Sequence, residues 1–551
     1  MTIPETVQEY SRRAAESFIQ TAVFVDDRIY SSQTIRKDEI KKTIAPKMRK
    51  RVSKKANKGD EKPENVINDA DGEDPAPDAY DIVNYFAKKQ IVCSLYQPKK
   101  DAAVTPSSDI FPLCKAADVV VIDWDLYGDK GQKAKELADG LVKQAVEDVP
   151  EQLRLILIYT QELNLGAIAN ELYETIHSSI GDDFRPVEGE EGLVFHTKNS
   201  RIVVLGKPGR ARVAEYQRFI IDEKELADIA VKEFSKLASG ILHAATLLGL
   251  SMIRQNSRKV LSKFSAELDP AFLTHVAMCF PEEDASSHVI PLLVSEIEAV
   301  LEDALPSPLV TDAVLEDWCE NVWKPAQHIN EFLNEGDDAK EVGKAILTKG
   351  FIEPRKKFNK IPKIGGNSST RKASKIFLQQ AEDLANHKFS HLMSSRTFYG
   401  EVPRVLSLGT ILYDNDGSRY LLCLQPVCDS VRVDGKRKFL FTELGVSEGI
   451  STGKATHVVF KQNRDTLELI YEPKSYFCVI EEFKATAGKR QVIAKSDDSG
   501  NLVFYDVSER TYEWIDQLKA SHAQRAVELL ASDLSRVGLT ESEWLRSLNK
   551  K

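Results

Sequence analysis

The chain has 551 residues, 42% of them hydrophobic and 29% charged, with a formal net charge of −10. That length supplies roughly two to four globular domains, and the net charge speaks against nonspecific nucleic-acid binding by the whole surface. Apolar runs such as Val119 to Ile122 fall far short of the roughly 20 residues a membrane-spanning helix needs. The N-terminal stretch MTIPETVQEYSRR lacks the apolar segment of a secretory signal, so the expected location is the cytoplasm, with no membrane partner. Cys93, Cys114, Cys279, Cys319, Cys423, Cys428 and Cys478 are scattered, as expected for reduced thiols.

In chain order, Val7, Tyr10, Ala14, Phe18 and Ile19 share one helical face and predict a helix over 5–20, followed by a strand from Thr21 to Val25. Residues 31–78 break the pattern: Lys and Arg crowd 36–58, Asp and Glu crowd 60–78, and a charged, flexible insertion is expected. Strands at 91–96, 118–123, 153–160 and 201–206 then alternate with helices at 79–89, 132–147 and 165–179. Such alternation predicts an α/β domain over 1–211, a doubly wound parallel sheet of five strands with helices on both faces. From 212 to 347 the spacing of Leu226, Ile229, Ala230, Leu237, Ile241, Ala244 and Leu248 is helical. A basic linker over 348–376 leads to a β-rich domain over 377–507, whose short runs (RYLLCLQPV, KFLFTEL, THVVFKQ, LELIY, LVFYDV) predict a small barrel or sandwich. Terminal helices over 508–551 follow: one from about 510 to 537, stopped by Gly538, and another capped by Thr540 and Glu543.

The chemistry gathers at strand ends. In an open parallel sheet, ligands bind outside the carboxyl ends of the strands. The first strand runs into Asp26 and Asp27, the third into Asp123, Trp124 and Asp125, the fourth ends at Thr160, and the fifth is followed by Lys207 and Pro208. Clustered carboxylates repel one another and attract a hard divalent cation; a lysine beside them can neutralise charge on a transferred phosphoryl group. This order of an acidic pair, a lone aspartate, a hydroxyl residue and Lys-Pro resembles that of response-regulator receiver domains, over roughly a third of the chain. The resemblance implies a flavodoxin-like fold and Asp123 as phosphoacceptor. It implies Mg²⁺ held by Asp26, Asp27, Asp123 and the backbone carbonyl of Asp125, with Thr160 and Lys207 contacting the phosphoryl group. It also implies a histidine-kinase-like donor. The large output region, lacking an ordinary DNA-binding module, is similar to receiver proteins of bacterial anti-phage gene clusters, which implies a GHKL-type ATPase partner or other subunits of a complex.

Departures from the pattern are visible. The charged insertion lies close to the acidic pair and is placed to gate it. The segment 181–200 lengthens the connection before the fifth strand. Val204 occupies the position three before Lys207, where receivers carry an aromatic switch residue. Cys423 and Cys428 have no second pair to complete a zinc site, and GISTGKAT (449–456) lacks the spacing and the hydroxyl residue of a phosphate loop. No enzymatic activity beyond self-phosphorylation is expected. Two other readings stand beside the phosphorelay receiver: a pseudo-receiver scaffold, and a less favoured nucleic-acid effector acting through the basic stretches 36–58 and 355–375.

Overall fold

A computed structural model describes residues 5–29, 78–101, 107–147, 152–209, 212–278, 289–306, 308–363, 372–379, 384–400, 402–447, 456–460 and 466–535, with residues 546 and 548. The charged insertion apart from Asp78, most of GISTGKAT, Gly538 and the Thr540–Glu543 cap lie outside the described residues. The chain divides into two compact units, residues 1–258 with 299–314 and residues 259–298 with 315–551.

In the first unit, α1 (Val7–Phe18) begins with a capping box. The Thr6 hydroxyl accepts the Glu9 N–H at 3.2 Å, and the Glu9 carboxylate accepts the Thr6 N–H at 2.8 Å. Next come β1 (Thr21–Val25), α2 (Ala79–Ala87), β2 (Val92–Tyr96), α3 (Ile110–Ala116), β3 (Val119–Asp123), α4 (Gln132–Glu147), β4 (Arg154–Thr160) and α5 (Leu165–Ile180). The short strands β5 (Arg185–Pro186) and β6 (Val194–His196), then β7 (Ser200–Gly206) and α6 (Leu226–Leu237), follow. The sheet order is β2-β1-β3-β4-β7-β6-β5. The first five in that order are parallel, with Val25 opposite Ile122, Asp123 opposite Tyr159 and Thr160 opposite Gly206, so their carboxyl ends share one edge. Every residue of β3, β4 and β7 is buried, which explains their unbroken apolar sequences.

Seven strands replace the expected five. The segment before β7 folds back as an antiparallel hairpin, pairing Val194 with Val203 and Arg185 with His196. Its apolar residues drive this: Phe184 and Phe195 lie 5.3 Å apart and both stack near Tyr173 of α5. The hairpin covers the backbone donors and acceptors that β7 would otherwise leave open as an edge. A buried ionic lock ties it to α6. Arg201 meets Glu233 at 2.8 Å, and Lys236 joins Glu233 at 2.8 Å and Glu190 at 2.9 Å. The helix α3 is a further addition to the expected elements.

The helices α7 (Ile241–Leu261), α8 (Asp269–Met278), α9 (Val289–Ala304), α10 (Asp312–Asp317) and α11 (Ala339–Lys349) make up the helical middle of the chain. The second unit continues with α12 (Ala385–Ser394), β8 (Thr410–Asp414), β9 (Arg419–Cys423), α13 (Val427–Ser430), β10 (Lys436–Val446), β11 (Thr456–Phe460), β12 (Thr466–Tyr471), β13 (Cys478–Lys484), β14 (Lys495–Ser496), β15 (Leu502–Tyr505), β16 (Thr511–Gln517) and α14 (Ala520–Leu534). Nine strands form one antiparallel sheet in which β10 pairs with β9, β12 and β13. A bridge from Phe483 to Asp506 and a hydrogen bond from Val507 N–H to the Glu482 carbonyl curl it back on itself, as in a barrel. Alternate residues feed two cores: Leu412, Leu421, Phe439 and Phe441 pack inside the curl, while Ile411, Leu422 and Leu469 pack with Ala523, Ala526 and Leu530 of α14.

One terminal expectation is overturned. Residues 511–517 are a strand rather than the first turns of a helix, because TYEWIDQ buries Tyr512 and Asp516 against β8 and β15, and the helix starts only at Ala520. Among the described residues, no helix is long and apolar enough to cross a membrane.

Candidate functional site

The parallel register brings Asp26, Asp27, Asp123, Thr160 and Lys207 to one edge of the first sheet, and four of the five are buried. Lys207 Nζ donates to Asp123 Oδ1 at 2.5 Å and lies 3.6 Å from Asp26 Oδ2. The lysine thus stands between two carboxylates that come from different strands. Asp26 Oδ1 accepts the Arg28 N–H at 2.7 Å, and Asp27 Oδ2 accepts the Tyr127 N–H at 2.9 Å. The opposite oxygens, Asp26 Oδ2 and Asp27 Oδ1, are buried and accept no hydrogen bond among the described residues.

The electrostatics follow from this crowding. Burial pushes the Asp123 carboxyl upward, and the charge of Asp26 adds to the rise against the opposing pull of Lys207. Burial also raises Asp27, which the Tyr127 N–H partly offsets. For Lys207 desolvation alone would lower the pKa, but the charges of Asp123 and Asp26 outweigh it and the ammonium is held on.

Thr160 sits at the neighbouring strand end, its hydroxyl oxygen accepting the Glu162 N–H at 3.1 Å and its carbonyl accepting the Lys207 N–H at 2.7 Å. Asp125 is exposed, and its carboxylate accepts the Lys130 N–H at 2.9 Å, so this side chain serves the loop after β3 rather than the cluster. Val204 is a core residue of β7 whose N–H donates to the Leu193 carbonyl of the hairpin.

Three residues missed in the sequence complete the site. Tyr127 holds a left-handed φ of 65°, which costs a non-glycine residue about 1–2 kcal/mol and aims its N–H at Asp27. The turn closes at Gly131, where an added Cβ would lie 2.1 Å from the Trp124 ring. Arg212 donates to the carbonyls of Lys207, Thr160 and Glu162, tying together the loops that follow β4 and β7. Tyr159 lies with its ring centroid 5.3 Å from Lys207 Nζ, and its hydroxyl donates to the Ile221 carbonyl at 2.9 Å. Only Tyr159 left a sequence signal, an aromatic residue inside an apolar strand.

Do these residues fit a divalent metal? Among the described residues no three His, Cys, Asp or Glu side chains are gathered closely enough to cage an ion alone. Mg²⁺ asks for less: it keeps several waters and takes one or two carboxylates plus phosphoryl oxygens. Asp26 Oδ2 and Asp27 Oδ1, which accept no hydrogen bond among the described residues, meet that demand.

Residues 18–212 match the family model described as Response receiver domain. This N-terminal part is a response receiver domain. No curated protein and no solved structure matches the chain. The receiver carries two additions within one compact unit: α1 ahead of the first strand, and the β5–β6 hairpin against its last.

Proposed function

We propose that the receiver accepts a phosphoryl group on Asp123 from a histidine-kinase-like or GHKL-type ATPase partner and relays the signal to the helical and β-rich regions. The observation that supports this reading best is the pair of buried oxygens on Asp26 and Asp27 that accept no hydrogen bond among the described residues, beside the 2.5 Å contact of Asp123 with Lys207. Lys207 engages Asp123 Oδ1, which leaves Oδ2 to attack. Its new bond to phosphorus forms as the bond from phosphorus to the leaving nitrogen of a phosphohistidine breaks, and that electron pair departs with the imidazole. Lys207 neutralises charge on the phosphoryl oxygens, and the Thr160 hydroxyl donates to one of them. Held by Asp26 and Asp27, Mg²⁺ supplies the positive field that lets an anionic donor approach three carboxylates. By its likeness to receiver proteins of conflict gene clusters, the relay serves anti-phage defence.

A phosphate-independent scaffold is the competing reading, and Val204 favours it, since that position offers no aromatic ring to respond to Thr160. Acetyl phosphate with Mg²⁺ separates the two. The full chain should gain one phosphoryl mass, lose the gain in EDTA, and show none as Asp123→Asn. No gain from acetyl phosphate or from a phosphohistidine donor overturns the phosphorelay in favour of the scaffold.

A further inference from the structure

The second unit contains a cleft of about 490 Å³ between residues 396–399 and 402–408 on one side and the junction of β16 with α14 on the other. Tyr399 and Trp514 form its aromatic wall, edge to face at 5.2 Å. The Arg404 guanidinium lies 4.5 Å from the Tyr399 ring centroid and 5.5 Å from that of Trp514. Arg396 lies 5.6 Å from the same Tyr399 ring. Two guanidinium groups therefore share one ring, and a third cation, Lys519, stands at the N-cap of α14.

Among the described residues this arrangement lacks a negative partner. Arg396 Nε donates to the Phe398 carbonyl at 3.1 Å, Arg404 Nη1 to the Val402 carbonyl at 2.7 Å, and Lys519 Nζ to the Leu392 carbonyl. Arg404 Nε is buried with no acceptor. Among the described residues, none of the three cations pairs with a carboxylate; Glu401 lies outside them. Asp516 is buried behind Tyr399, its Oδ1 taking the Tyr399 hydroxyl at 3.0 Å and the Gln517 N–H at 2.8 Å, with His391 Nδ1 3.6 Å from Oδ2. Lys519 adds an independent sign. Helix N-caps favour Ser, Thr, Asp or Asn, whose oxygens accept first-turn N–H groups, and the positive end of a helix disfavours a lysine. Here no side chain caps α14. An anion would satisfy the open first turn, the lysine and the arginine pair together.

We propose that this cleft binds a nucleoside phosphate, its base against Tyr399, Trp514 and Arg404 and its phosphate among Arg396, Lys519 and the first turn of α14. Stacking on aromatic and guanidinium faces accounts for the wall, and exposed Val402 and Val427 at the rim extend the apolar contact. A bare anion would leave the rings unused. The volume suits one small ligand, within the roughly 300–1,000 Å³ of ordinary small-molecule sites.

Equilibrium dialysis of the full chain with AMP, ATP, inorganic phosphate and a short oligothymidylate tests this. AMP or ATP should bind saturably at physiological salt, at least about tenfold tighter than phosphate, a difference of about 1.4 kcal/mol. Arg404→Ala should weaken nucleotide binding about tenfold or more. Lys519→Ser should weaken binding yet raise Tm, because serine is the better cap; a merely structural lysine would not divide the two readouts. The cleft makes no use of Asp123, so Asp123→Asn should bind nucleotide as the wild type does, whatever the fate of the phosphorelay. Absence of saturable nucleotide binding, or wild-type affinity in both Arg404→Ala and Lys519→Ser, overturns the proposal. Equal affinity for inorganic phosphate reduces the cleft to an anion site and overturns it too. Oligothymidylate binding more than about tenfold tighter than AMP replaces it with a strand-binding surface.

Discussion

The receiver unit buries charge in two places. At the carboxyl edge of its sheet, Asp26 and Asp123 face Lys207 and Asp27 lies 4.0 Å from Arg28; on its flank, Arg201, Glu233, Lys236 and Glu190 join the hairpin to α6, with Arg218 and Glu191 paired on the rim. The flank is balanced, Glu233 and Glu190 each meeting a base at 2.8–3.1 Å. The edge carries more negative than positive charge, and two of its buried oxygens have cations only beyond hydrogen-bond range, Asp26 Oδ2 at 3.6 Å from Lys207 and Asp27 Oδ1 at 4.0 Å from Arg28. Burying an ion costs several kcal/mol unless partners replace its water. The balanced cluster therefore needs nothing more and holds structure, while the unbalanced one suits the cation that the proposed phosphorelay requires.

The largest effect should come from Asp123→Asn, which on the proposed phosphorelay removes the attacking carboxylate and with it all phosphoryl acceptance. Because it also relieves repulsion at the edge, urea titration should show stability unchanged or higher. Arg201→Met should do the reverse. It removes one of the two cations on Glu233, buried to 7% exposure, and leaves Lys236 at 2.8 Å as the other, so it should cost about 1.5–3 kcal/mol while phosphoryl acceptance in the absence of urea persists. If Asp123→Asn destabilised the chain as much as Arg201→Met, the two clusters would not differ as argued.

Acid sharpens the contrast by adding a buried group from the second unit. Burial, with a smaller contribution from nearby His522, pushes His457 down to about 4. The folded chain keeps this imidazole neutral, whereas the unfolded chain protonates it near pH 6.5. Its contribution is thus present above pH 6.5 and is lost as pH falls toward 4, a decline of about 2–3 kcal/mol. Urea titrations across that range should show the slope, and His457→Leu should flatten it. Glu190 responds later. Desolvation would raise its pKa, but the Lys236 hydrogen bond and the charges of Lys236, Arg218 and Arg201 prevail and lower it. Its stabilisation is present above the unfolded carboxyl pKa of about 4.3 and is lost only as pH falls below that value, through the folded pKa.

Much of the receiver was legible because a parallel strand covered on both faces appears as a continuous apolar run. TAVFV is β1 itself, and LILIY and VVLG lie within β4 and β7. Asp26, Asp27, Asp123, Thr160 and Lys207 were legible for the same reason, since each follows or closes such a run. Tyr127 was not, because its contribution to Asp27 is a backbone N–H that any residue could present. Arg212 escaped because its acceptors are carbonyls, which leave no mark in sequence. The hairpin at 185–196 has strands too short to show a period of two. In TYEWIDQ the alternation runs directly into the helical spacing of α14, which hid the boundary.

The smallest effect should come from the same chemistry at the surface. Asp228 on α6 meets Lys89 at 2.9 Å and Arg12 at 3.4 Å, yet its side chain is 50% exposed. Hydrogen bonds to Asp228 and Glu16 raise the Lys89 pKa, so the contacts are felt. Water and salt nevertheless screen them, and ordering the long side chains consumes most of the gain. Asp228→Ala should change unfolding stability by less than about 0.5 kcal/mol, and by less still at high salt. Arg201→Met, whose partner is shielded from ions, should keep its full cost in the same buffer. Equal salt sensitivity of the two variants would mean that burial does not set the flank cluster apart, and the distinction between a balanced lock and an open site would then rest on the Asp26 and Asp27 oxygens without a hydrogen bond alone.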